Sequence, residues 1–66
     1  MDKNKIAERL IQLRGKRTQA EVAEAVGITP SAYSMYETGE RVPRDEIKIR
    51  LAKYYKRTVN AIFFAD

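Results

Sequence analysis

The chain has no cysteine and no histidine. The first absence excludes disulfides, thiol redox chemistry and cysteine-based zinc sites, and the second removes histidine-dependent triads and a common metal ligand. Proline and glycine are scarce, at two and three residues. No apolar run approaches the ~20 residues that span a bilayer. The opening MDKNKIAERL lacks the apolar centre of a secretory signal. Together these absences predict a soluble, cytoplasmic protein with no membrane role, no metal and no cofactor. Catalysis is not expected either. The carboxylates are scattered, no general-base histidine or nucleophilic cysteine exists, and no glycine-rich phosphate loop precedes a helix.

What is present suits one small folded domain over residues 1–66. At 44% hydrophobic residues the chain is too apolar for disorder. A domain of this size buries only about 60% of its unfolded surface, so its stability is modest. The net charge is +4 with a pI near 9.6. That charge is unevenly placed: residues 1–17 carry +4, residues 18–38 carry −3 and residues 39–66 carry +3. An acidic middle lies between two basic flanks. A basic domain attracts polyanions, although a solvated Lys/Arg surface gives the same total.

Gly15, Gly27 and Gly39, with Pro30 and Pro43, divide the chain into about five helical segments. Ile6, Leu10 and Leu13 form a stripe on a first helix from about Lys3 to Arg14. Thr18 followed by Glu21 fits a capping box that opens a second helix, with Val22, Ala23 and Val26 inward and Gly27 at its end. Thr29 is the expected N-cap of a third helix, with Pro30 at its first position, where a missing N–H is harmless. Ile28 can staple against Tyr33, and Gly39 ends the helix. Ile47, Leu51, Tyr54 and Tyr55 mark a fourth helix over about 45–55. Of the two tyrosines, Tyr54 is expected in the core and Tyr55 at the surface. A short fifth helix opens at Thr58 and carries Val59, Ile62 and Phe63. Ile62–Phe64 is the only stretch with a strand-like character. Lys3, Lys5, Lys48, Lys53 and Lys56 are read as solvated, Glu21 as a cap and Glu24 as solvent-facing.

The segments over about 18–38 form a helix-turn-helix. Ala23 lets the next helix approach, and Gly27 accommodates the turn. On a wheel of about 100° per residue, Tyr33 and Tyr36 share one side of the third helix, and Ser31, Ser34, Met35 and Thr38 share the other. The tyrosines are read as core anchors rather than as base-stacking groups. A helix of about 30–38, anchored on one side and small and polar on the other, suits the DNA major groove.

These residues resemble the phage-repressor/Cro-type (xenobiotic-response-element-like) helix-turn-helix family. Gln19, Ala23, Gly27, Ile28, Tyr33, Tyr36, Glu37-x-Gly39 and Pro43 match its pattern. Ala52, Tyr55, Thr58, Val59, Asn60, Ile62 and Phe63 resemble its last two helices, so the likeness covers roughly residues 5–64. The link between Arg14 and Gln19 is about two residues shorter than the family's. The resemblance implies an all-α, compact five-helix bundle of the lambda-repressor-like kind. It implies base reading by Thr29, Pro30, Ser31, Ser34 and Met35, and an ion pair between Arg14 and Glu37. Gln19 matches a phosphate contact, and Arg41 and Arg44 lie in a loop that touches backbone. With Arg17, Thr18 and Thr38 at the motif's edges, these complete the phosphate candidates. A homodimer contact is expected near the last helix, at Tyr55, Ile62, Phe63 and Phe64.

The implied function is a sequence-specific double-stranded DNA-binding transcriptional regulator, a homodimeric repressor on a palindromic operator. Controller-type activation remains open. So does a protein-interaction module, antitoxin-like or bridging, on the same fold, and a regulatory protein partner fits either reading. The reading face has no Arg, Lys, Asn or Gln, the residues that make bidentate base contacts worth ~1–3 kcal/mol each. Direct contacts are therefore few, and DNA shape carries part of any discrimination.

Overall fold

The computed structural model describes residues 2–65. Four α-helices follow in order: α1 Lys3–Arg14, α2 Gln19–Val26, α3 Pro30–Thr38 and α4 Asp45–Tyr55. A π-helical turn, Asn60–Phe64, comes last. There is no strand among the described residues. The expected all-α bundle is thus observed. The strand-like reading of Ile62–Phe64 is corrected: the Ala65 N–H donates to the Asn60 carbonyl at 2.8 Å, closing a wide helical turn. Thr58 opens this turn by accepting the Ala61 N–H at 3.0 Å.

Helix starts follow from local chemistry. The Asp2 carboxylate accepts the N–H groups of Asn4 and Lys5 at 2.9 and 3.3 Å. Those two backbone bonds, that of Lys5 foremost, hold the Asp2 carboxyl below its ordinary pKa. Thr18 and Thr29 each accept the N–H three residues on, from Glu21 and Ala32, both at 3.0 Å. The capping box at α2 is half formed, because only the Thr18 arm is made among the described residues. Gly39 illustrates why a glycine ends α3. Its φ is +81°, and an added Cβ would meet the Asn4 side-chain oxygen at 3.1 Å and the Lys3 carbonyl at 3.7 Å. The end of α3 therefore lies against the start of α1.

The core gathers Ile6 and Leu10 from α1, Val22, Ala23 and Val26 from α2, Tyr33 and Tyr36 from α3, and Ile47, Leu51 and Tyr55 from α4. Ile62 and Phe63 close it from the C-terminal turn. The helix α3 packs on both α1 and α2, so its orientation is set from two sides. Inside, the hydroxyls of Tyr33 and Tyr55 share a hydrogen bond of 2.7 Å. Each buried polar tip thereby satisfies the other, as a low-dielectric interior requires. Burial pushes the ionisation of both hydroxyls upward, and for Tyr33 the bond to Tyr55 adds to that effect.

Two expectations for α4 are corrected here. Tyr55 is buried, whereas Tyr54 is half-buried at the edge. Lys48 is buried rather than solvated. Both follow from one rotation of the helix. The inward side runs along Ile47, Leu51 and Tyr55 and turns toward Lys48 and Ala52, away from Tyr54. Lys48 tolerates this because its ammonium lies 5.0 Å above the Phe64 ring centre and 3.3 Å from the Asp45 carboxylate. A long aliphatic stem under a charged tip allows such partial burial.

Candidate nucleic-acid interface

The helix α3 has two chemically different sides. Tyr33, Tyr36 and Glu37 face inward and are buried. Thr29, Pro30, Ser31 and Thr38 are exposed, and Ser34 and Met35 are half-buried. All five expected base-reading residues therefore reach solvent: Ser31, Ser34 and Met35 share the side of α3 opposite its tyrosines, and Thr29 and Pro30 stand at its start.

Glu37 fixes α3 in place. Its carboxylate accepts from Arg14 Nε at 2.7 Å and Nη2 at 3.1 Å, a bidentate pair, and from Gln19 Nε2 at 2.9 Å. Burial alone would push the Glu37 carboxyl upward, but the hydrogen bonds from Arg14 and then Gln19 outweigh it and hold the group below its ordinary value. The hydrogen bond to Glu37 raises the Arg14 guanidinium in turn. One carboxylate thus ties α1, the start of α2 and the end of α3 together. The expected ion pair is present, and Gln19 joins it. Sequence reading could not see that third member, since Gln19 stands 18 positions before Glu37 and meets it only in the fold.

The phosphate candidates divide into engaged and free groups. Gln19 uses an amide N–H on Glu37, although the backbone N–H groups of Gln19 and Ala20 have no partner among the described residues. A helix start of this kind is a general anion site. Thr18 uses its oxygen as a cap. Thr38 turns inward to its own helix end, where its hydroxyl lies 3.1 Å from both the Met35 carbonyl and the Glu40 carboxylate. Arg17 is exposed but engaged. It donates to the Leu13 carbonyl at 3.1 Å and stacks 5.3 Å from the Tyr54 ring centre and 5.8 Å from that of Tyr55. Arg41 and Arg44 are different. Both are exposed, and neither side chain has a hydrogen bond or ion pair among the described residues.

The four residues expected at a dimer contact also divide. Tyr55, Ile62 and Phe63 are buried in their own protomer, which for Tyr55 corrects the expected surface position. Phe64 is 49% exposed. Beside it lies Ile49, 48% exposed, which sequence reasoning missed. Ile49 stands off the inward line of α4, and plotting it on the helix would have revealed an apolar residue facing solvent. Ile49, Val59 and Phe64 line a shallow depression with Asp45 and Lys48 at its border.

This arrangement is a helix-turn-helix in geometry, and comparison with known proteins decides its affiliation. The family described as "Helix-turn-helix" matches residues 6–62. The chain belongs to the phage-repressor/Cro-type helix-turn-helix family. Its members are DNA-binding transcriptional regulators. A similar protein of this helix-turn-helix kind is the "Cryptic phage CTXphi transcriptional repressor RstR" of Vibrio cholerae serotype O1. It is 40% identical over 50 residues, which is 73% of this chain and 45% of that protein. The chain spans less than half the length of that relative. No solved structure matches the chain. No helix among the described residues is long and apolar enough to cross a membrane, and no cluster of side chains suited to a metal ion occurs among them.

Proposed function

We propose that this helix-turn-helix protein binds double-stranded DNA sequence-specifically and represses transcription as a homodimer on a palindromic operator. The observation that carries the reading is the two-sided character of α3: Tyr33, Tyr36 and Glu37 hold it, and Ser31, Ser34 and Met35 stand free. A rigid helix with a small polar side can enter the major groove, where each base pair presents a distinct edge. Ser31 and Ser34 offer single hydrogen bonds, and Met35 offers an apolar contact to a thymine methyl. Thr29 and Pro30 stand at the helix start, closest to the groove floor.

Two copies would present their α3 helices to successive major grooves, about 34–36 Å apart. The contact between copies would lie on Ile49 and Phe64, whose exposed apolar side chains support it, with the partly buried Val59 beside them. Backbone contacts come from Arg41, Arg44 and the start of α2. Such contacts dominate affinity and make it fall steeply with salt. Repression follows most simply from an occupied promoter; activation uses the same contacts with the operator displaced upstream.

The acidic middle of the chain and the lack of long polar side chains on the reading side favour a second reading, a module that binds protein instead. Selection of bound duplexes from a random pool, at two salt concentrations, separates the two. The DNA reading expects one enriched palindrome whose binding weakens with salt. Weak, equal binding to every duplex would support the protein-binding module.

A further inference from the structure

Tyr33 and Tyr36 both anchor α3, yet their hydroxyls have different surroundings. Tyr33 Oη is sealed and bonded to Tyr55 at 2.7 Å. Tyr36 is just 6% exposed, and its hydroxyl has no hydrogen-bond partner among the described residues. No sealed side-chain oxygen or nitrogen among them lacks a partner, so this hydroxyl must reach solvent. Tyr36 lines a groove of about 460 Å³ between α3 and the following loop, the space open to that hydroxyl. Ala32 and Ile47 line the apolar part of that groove, and Thr29, Arg41 and Arg44 supply its polar part.

The electrostatics of the groove favour an anion. Arg41 and Arg44 are exposed cations without ion-pair partners among the described residues. The start of α3 lies at one edge, at Thr29. The start of α4 lies at the other, with no side-chain cap on its first N–H groups. Helix starts carry partial positive charge. The carboxylates near α4 are occupied: Asp45 with Lys48 at 3.3 Å and Glu46 with Arg50 at 2.7 Å. Glu40 lies 3.1 Å from the Thr38 hydroxyl, within the turn that ends α3.

The groove is also correctly placed for a duplex. Around α3, at about 100° per residue, Ala32 and Tyr36 follow directly after Met35, while Ser34 borders the Glu37 side. The reading side therefore has a flank on each edge. One flank holds Gln19 and the start of α2, and the other holds Tyr36, Arg41 and Arg44. A helix in the major groove meets one DNA strand on each side.

We propose that Tyr36 Oη, with Arg41 and Arg44, forms a subsite for a non-esterified oxygen of a DNA backbone phosphate. Tyr36 is thus at once a core anchor and a DNA contact. The hydroxyl donates to the phosphate oxygen, and the two guanidiniums neutralise its charge. Thr29 caps α3 and has its hydroxyl hydrogen left for the same anion. This subsite rests on the DNA-binding reading and assigns one of its contacts.

Tyr36→Phe removes the hydroxyl and keeps the ring. Binding of the parent and of this variant to the selected duplex is measured alongside their thermal unfolding. The variant should bind roughly ten-fold more weakly, the usual size of one hydrogen bond to a charged group. The loss should be equal across sequences, with the melting temperature nearly unchanged. A second arm replaces single phosphates by neutral methylphosphonates. At the contacted phosphate the parent should lose about as much as it loses through Tyr36→Phe, and the variant should lose less. This arm compares DNA with DNA on each protein, so it holds even if the variant is less stable. Equal affinity of parent and variant, or equal losses in both proteins at every phosphate, overturns the subsite while leaving DNA binding intact. A parent that binds no duplex overturns the functional reading, and the subsite with it.

Discussion

The two flanks of α3 are built on opposite plans. On one, Glu37, Arg14 and Gln19 satisfy one another within 3.1 Å, and just behind them Tyr33 and Tyr55 pair their hydroxyls. On the other, Tyr36, Arg41 and Arg44 carry polar groups with no partners among the described residues. Polar groups closed on themselves stabilise a fold and have little left for a ligand. Polar groups left open contribute little to stability and remain available. The fold thus separates the groups that hold α3 from the groups left open for a ligand, and under the proposed function substitutions on the two flanks should separate stability from affinity.

The largest effect is expected at the closed flank. Glu37→Ala leaves the Arg14 guanidinium and the Gln19 amide without their acceptor, and breaking a largely buried pair from one side costs about 3 kcal/mol. Urea unfolding reads this directly. The pH dependence has a definite sign. The Glu37 carboxyl lies below its ordinary value in the folded state. Its stabilisation is therefore fully present above the unfolded carboxylate pKa of about 4.3, and is lost as pH falls from there through the folded value. Glu37→Gln should flatten that acid limb of the stability curve; an unchanged limb would mean that Glu37 is not the group responsible.

The next effect concerns the tyrosine pair. Tyr55→Phe leaves the Tyr33 hydroxyl buried and unpartnered, at a cost of about 1–2 kcal/mol, whereas removing both hydroxyls should recover part of that loss. Both hydroxyls are raised by burial. Their contribution is therefore present below the unfolded tyrosine pKa of about 10 and is lost as pH rises above it. A single variant less stable than the double variant is the outcome to look for in unfolding experiments at neutral pH.

Smaller effects belong to the open flank and should appear in binding alone. Arg41→Ala or Arg44→Ala should leave the unfolding midpoint unchanged, weaken all duplexes alike and lower the salt slope by about one. A change of preferred sequence would mean that these arginines read bases. The smallest change is expected at Glu40, whose carboxylate adds negative charge at the end of α3. Glu40→Gln should strengthen binding a few-fold, by roughly two to three at low salt, with the gain fading as salt screens it.

Much of this division was legible before any coordinates, where it depended on neighbours in sequence. Thr18 and Thr29 cap their helices because a threonine oxygen reaches the N–H three residues on, whatever surrounds it. The inward tyrosines of α3 follow from helical spacing. Contacts made across the fold were not legible. Tyr54 and Tyr55 are adjacent, and which one turns inward depends on the rotation of α4 against α2. Lys48 reads as solvated until the ring of Phe64, 16 positions away, is placed beneath its ammonium. Gln19 looks like a free amide until Glu37 is beside it. Arg17 looks like a cation without a partner until Tyr54 offers its face. Local chemistry points to the candidate interface, and long-range packing decides which of its polar groups are free.

The most direct test of the central claim is a base-by-base competition at the reading side. Parent, Ser34→Ala and Met35→Ala are each challenged with the selected duplex and its single-base variants, with unfolding measured in parallel. The account predicts that each substitution alters discrimination at one or two positions of each half-site while stability moves by less than about 0.5 kcal/mol. If both variants discriminate among the duplexes just as the parent does, α3 does not read DNA through that side.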